Sequence, residues 1–190
     1  MKIILLIITF LVTWTSQSQI INIDPIIPIE DYENYPNDIP NGTYIQDING
    51  VLNPYLGTWE GSIGNKNIEF QIYKVTSTFL EISIDQLQIR YKLTNLSGNV
   101  LINTMNIPEE DPLIIKGDYL GDDANYYVLD YYGEEATCGQ KGALFIRVFN
   151  NGTNMRINFI PNPEIMDMNI CPNNQPVEQI FPEEFVLTKQ

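Results

Sequence analysis

The chain has no histidine, only two cysteines and only three alanines in 190 residues. Each scarcity excludes something. Without histidine there is no Ser-His-Asp or Cys-His nucleophile system, no HExxH zinc helix and no imidazole general base. Two cysteines cannot build a four-cysteine zinc site or hold an iron–sulfur cluster. Positive charge is also scarce: 10 Lys+Arg stand against 24 Asp+Glu, a net charge of −14, with a pI near 4.1. Nucleic-acid binding needs clustered Lys and Arg to track phosphates, so no nucleic-acid partner is expected. No cofactor motif and no metal-ligand set is present. A hydrolase using two carboxylates is chemically open, because glycosidases need only two acids about 5–9 Å apart. Among 24 acids some pair meets that by chance, and no motif singles one out. No catalytic residue is therefore named, and the chain is expected not to be an enzyme.

Alanine is the best helix former, whereas isoleucine and tyrosine suit pleated, half-buried surfaces. With 29 Ile, 21 Asn and 11 Tyr, the composition points to β structure.

One long apolar run exists. Lys2 gives a positive start, Ile3–Val12 is apolar apart from Thr9, and Ser16-Gln17-Ser18 is a small-x-small pattern. That is the layout of a secretory signal peptide over residues 1–18, with Gln19 as the mature N-terminus. The run is well short of the roughly 20 residues of a spanning helix, so no transmembrane segment is expected after cleavage. Removing one lysine and no acid would leave 24 acids against 9 bases, a net of −15. The expected location is secreted or periplasmic.

Residues 19–41 form an extended leader punctuated by Pro25, Pro28, Pro36 and Pro40. Two readings stand: a flexible leader, or a strap with Ile26, Ile27 and Ile29 packed on the outside of the domain. Residues 42–190 are the domain. Residues 47–56 suggest a turn and a short helical piece. Strands follow at Gly57–Ile63, around Ile68–Tyr73, at Phe79–Ile84 and at Leu87–Thr94. The last has the clearest alternation: Leu87, Ile89, Tyr91 and Leu93 on one face, Gln88, Arg90, Lys92 and Thr94 on the other. Further strands are expected at Val100–Met105, Leu113–Leu120, Tyr126–Tyr132, Leu144–Phe149, Met155–Phe159 and Phe185–Lys189. Gly64-Asn65 and Ser97-Gly98-Asn99 mark turns, and Asn151-Gly152 is a type I′ hairpin signal. Strands this short and this closely spaced predict an all-β chain. They form one antiparallel up-and-down barrel of about 8–10 strands, with a short helical turn before the first.

Several positions carry chemical options. Cys138 and Cys171 are expected to form one disulfide in an oxidising compartment, the alternative being two free thiols. Asp118, Asp122, Asp123 and Asn125 cluster around Gly121. Their spacing does not fit an EF-hand loop, so the expectation is a solvated acidic turn and no bound metal. The same holds for Glu109-Glu110-Asp111 and Glu134-Glu135. Tyr126, Val128, Asp130 and Tyr132 share one strand face, and Tyr127, Leu129 and Tyr131 the other. Asn41-Gly42-Thr43, Asn95-Leu96-Ser97 and Asn151-Gly152-Thr153 match the N-glycosylation pattern.

Gly57-Thr58-Trp59 opens the first domain strand. It resembles the Gly-x-Trp signature of lipocalins and wider calycins. The resemblance implies an eight-stranded barrel whose Trp packs across one end, with a basic residue of the last strand stacked on it. Lys189 takes that place where arginine is usual, and Gly57 and Trp59 become structural residues. A wider resemblance covers most of the domain. Asn41–Asn49, Leu52, Tyr55–Gly61, Ile102-Asn103-Thr104, Ile115-Lys116-Gly117 and Leu187-Thr188-Lys189 are similar to a family of secreted bacterial proteins, domain of unknown function family 6705. It implies a secreted single-domain β protein and carries no activity.

Two function readings follow. One is a binding module holding a small apolar or amphipathic ligand inside the barrel, which requires a hollow interior. The other is a structural or interaction module of the cell envelope, with a filled barrel and an exposed apolar patch or edge, for instance near Ile20–Ile29.

Overall fold

The computed structural model of the chain describes residues 25–36, 38–121, 124–162 and 168–190. The expected signal peptide, Gln19, and Asp122 and Asp123 of the acidic cluster lie outside these residues.

Among the described residues eleven strands form one sheet: β1 (Ile26–Pro28), β2 (Tyr44–Gln46), β3 (Gly57–Ile63), β4 (Lys66–Phe79), β5 (Ile82–Asn95), β6 (Val100–Asn103), β7 (Ile115–Leu120), β8 (Tyr127–Tyr132), β9 (Lys141–Phe149), β10 (Asn154–Pro161) and β11 (Glu184–Lys189). Strands β3, β4, β5, β7, β8, β9, β10 and β11 pair in that order, and β11 returns to β3. This is a closed, antiparallel, eight-stranded up-and-down barrel. A 3₁₀ turn at Asn53–Tyr55 precedes β3.

The alternation seen in the sequence sets the inward face. Leu87, Ile89, Tyr91 and Leu93 of β5, Ile68, Phe70 and Ile72 of β4, and Tyr127, Leu129 and Tyr131 of β8 are all buried. Within β8, Asp130 and Tyr132 point outward, as period-two geometry requires.

Strand β5 is long enough to have several neighbours along one side. It pairs with β2 at Ser83 and Ile84, with β7 at Gln88 and Ile89, and with β6 at Lys92–Thr94. Only the β7 pairing closes the barrel, so β6 lies off the ring. The leader takes the strap arrangement over 26–29. Strand β1 runs parallel to β2, Ile27 and Ile29 are buried, and Ile26 is exposed.

Two local expectations are corrected. No strand spans Phe79–Ile84. Phe79 ends β4, Ile82 begins β5, and Leu80-Glu81 is a two-residue turn at φ 46° and 68°. Both turn residues take the left-handed region that type I′ turns demand, without the Asn or Gly that would announce it. The Asn151-Gly152 hairpin exists, but as a four-residue connection: Asn154 pairs with Phe149, and Asn150, Asn151 and Gly152 all have positive φ.

Candidate functional site

At one end of the barrel Trp59, fully buried, donates its indole N–H to the Tyr55 carbonyl at 2.7 Å. Lys189 places its Nζ 5.1 Å from the Trp59 ring and donates to the Pro54 carbonyl at 3.2 Å. The 3₁₀ turn is thus fastened across this end by one residue of the first barrel strand and one of the last. Gly57 sits at φ 116°, and a Cβ there would lie 3.4 Å from Lys189 Cε. That contact is ordinary and with a flexible side chain, so it is the positive φ that asks for glycine here.

The other end is covered by the proline-rich loop after β10. Cys138 and Cys171 are joined in a disulfide, with Cα atoms 5.4 Å apart. Beside it the Val177 amide donates to the Cys138 carbonyl at 2.9 Å, and Gln140 Nε2 to the Glu178 carbonyl at 3.2 Å. Fastened this way, the loop inserts Phe181 into the barrel mouth. Its ring lies 4.8 Å from Tyr131, 5.8 Å from Tyr91 and 5.9 Å from Phe70. Phe159 and Phe185 complete the cluster. The interior is therefore occupied by aromatic rings, mostly in edge-to-face contacts. The hydroxyls of Tyr91 and Tyr131 are buried, and neither meets a partner at full hydrogen-bond geometry. Burial pushes the Tyr91 phenol up to about 12 and raises that of Tyr131 as well, so both stay neutral.

The third feature is an overhang. Strand β3 covers β4 only from Lys66 to Ile72, so Tyr73–Phe79 has β5 on one side alone. The Leu80-Glu81 turn makes Phe79–Ile82 a hydrogen-bonded pair, so the backbone groups of Lys74, Thr76 and Thr78 face the open edge. No backbone hydrogen bond reaches those groups from another described segment. At the tip Phe79 and Leu80 are 74% and 73% exposed.

A polar network stiffens the overhang from its inner face. Asp85 accepts from the Tyr44 hydroxyl at 2.8 Å, the Thr76 hydroxyl at 2.7 Å and the Asp47 amide at 3.0 Å. Asp47 pairs with Lys74 at 3.0 Å. Burial opposes ionisation of Asp85, but the Thr76, Asp47 and Tyr44 donors and the Lys74 charge outweigh it, and its pKa falls below the usual value. Asp130 moves the other way, raised by burial and by the charge of Asp118.

Of the acidic cluster only Asp118 and Asn125 are among the described residues, and no group of three His, Cys, Asp or Glu side chains among the described residues could hold a metal ion. The Asn125 amide oxygen instead accepts from Arg147 at 3.5 Å. Among the described residues, no helix is long and apolar enough to cross a membrane.

Sequence reasoning named Gly57, Trp59, Lys189 and both cysteines. It missed Phe181, which lies in a loop without periodicity, and the overhang, whose turn residues carry no turn chemistry. No family model, no curated protein and no solved structure matches the chain.

Proposed function

We propose that this is an exported protein of the cell envelope that works through its outer surface as an interaction module. The observation that carries the reading is the overhang: an open β4 edge at Lys74–Thr78 ending in the exposed pair Phe79 and Leu80. Native proteins blunt exposed edges with bulges, prolines or inward charges, or by covering them. Here Lys74 is tied down by Asp47, and the remaining edge positions are small and neutral. The edge suits an extended segment of a partner protein added as one more strand, with an apolar side chain against Phe79 and Leu80. Export is supported by the Lys2–Ser18 pattern and by the disulfide, which persists in oxidising compartments. The Gly57-Thr58-Trp59 motif with Lys189 on the ring supports kinship with lipocalin-like barrels.

A carrier with a small apolar ligand inside the barrel would have to expel Phe181 and its neighbouring rings. The surface reading needs no rearrangement. Native mass spectrometry of the exported protein, beside its denatured mass, separates the two. A protein-sized addition that disappears in Thr78→Pro is the expected result, because proline at that position removes an edge-facing N–H that β5 does not use. An addition of small-molecule mass, lost on denaturation, would overturn the reading.

A further inference from the structure

The chain contains three arginines, Arg90, Arg147 and Arg156, among 24 acids. Two of the three are cross-strand partners: Arg147 of β9 stands directly opposite Arg156 of β10, both on the outer face. Like charges in that position destabilise a sheet. A chain this acidic could neutralise each guanidinium with a carboxylate, yet it does so weakly. Arg156 lies 3.7 Å from Glu184 in a half-exposed pair and over the Phe149 ring at 5.7 Å. Arg147 has no described carboxylate in ion-pair range; its partner is the neutral Asn125 amide, at 3.5 Å.

Both arginines border a groove of about 570 Å³ between the β9–β10 hairpin and the turn that Trp59 and Lys189 fasten. Its apolar lining is Val51, Pro54 and Tyr55, with Val148 and Phe149. The volume is that of a site for one small organic molecule. A guanidinium presents a planar fork suited to a carboxylate or phosphate.

We propose that this groove binds an amphipathic organic acid, its anionic head between Arg147 and Arg156 and its apolar body along Val51, Pro54 and Tyr55. The ligand supplies Arg147 with the carboxylate it lacks among the described residues and gives Arg156 a second one beside Glu184, so binding offsets the cross-strand repulsion. Burial pushes the Tyr55 phenol up to about 12, so its hydroxyl stays neutral beside Arg147. The groove lies outside the barrel, at the end closed by the 3₁₀ turn. It is separate from the overhang, and either site can exist without the other.

The probes are decanoate, decanol and acetate, titrated at neutral pH into the disulfide-bonded protein while its arginine Nε–H resonances are followed. Decanoate is expected to shift the signals of Arg147 and Arg156, leaving Arg90 still, and to bind on the order of 10-fold or more tighter than decanol or acetate. Arg147→Gln and Arg156→Gln should each weaken decanoate about 10-fold. The melting temperature of unliganded Arg147→Gln should be equal to or above that of the parent, because a repulsion is removed and no ion pair among the described residues is lost. Equal binding of decanoate and decanol would overturn the proposal, as would binding that both variants retain or the absence of any arginine shift at millimolar decanoate. Acetate as tight as decanoate would overturn the part assigned to the apolar wall.

Discussion

Lys189 stands 5.1 Å from the ring of Trp59, and the two hold adjacent carbonyls of one turn: Trp59 takes Tyr55, Lys189 takes Pro54. The strands they occupy are the first and last of the barrel, paired at this point. The contact therefore closes the ring of strands and caps its end together. Replacing Trp59 by Phe keeps most of the apolar volume but strands the Tyr55 carbonyl, at a cost of about 1–3 kcal/mol. Lys189→Met should cost less, about 0.5–1 kcal/mol, because the ammonium lies near the surface. Urea unfolding of the two variants checks the order.

The disulfide holds the loop that delivers Phe181. It closes a 33-residue separation, for which the chain-entropy relation gives about 3.5–4 kcal/mol. The Cys138→Ser, Cys171→Ser double variant should lose stability of that order. Its Phe181 end should also loosen before the Trp59 end does. Hydrogen exchange should then show reduced protection at the Val177 amide, with the Trp59 indole unchanged.

The Leu80-Glu81 turn holds two ordinary residues in a left-handed conformation that costs about 1 kcal/mol or more each. Leu80→Asn with Glu81→Gly should stabilise the fold by about 1–2 kcal/mol. That is about 2–8 °C in melting temperature at this chain length. If the tip docks a partner, the same variant should bind less well, since Leu80 is removed. Calorimetry gives the first quantity and native mass spectrometry the second.

Asp85 and Asp130 should give opposite pH signatures. The folded pKa of Asp85 is depressed, so its contribution is full above the unfolded value near about 4 and is lost as pH falls through the folded one. Asp85→Asn should therefore destabilise at neutral pH and flatten the acid limb of the stability curve. The folded pKa of Asp130 is raised, so ionising it opposes folding above about 4. Asp130→Asn should stabilise at neutral pH and be neutral in strong acid. Stability measured from pH 2 to 7 for both variants tests the pair of signs.

Alternation made the barrel strands readable from the residues alone. Leu87, Ile89, Tyr91 and Leu93 declare a buried face because side chains alternate along any strand, whatever its neighbours. Gly57-Thr58-Trp59 and Lys189 were readable through their resemblance to the lipocalin Gly-x-Trp signature, which implies a basic residue of the last strand on the ring. The cysteine pair was readable because there are only two.

The rest depends on which residues meet across space. A turn forms at Leu80-Glu81 because the long β4–β5 register requires it, although neither residue asks for one. Whether the barrel is hollow depends on summed side-chain volume at a common level, and on Phe181, which reaches that level from a loop tied by the disulfide. Arg147 and Arg156 are nine positions apart and share no motif. They become neighbours only through the β9–β10 register, where a four-residue turn sets Asn154 against Phe149. Local periodicity reports the face of a strand; register, which long-range pairing sets, reports its company.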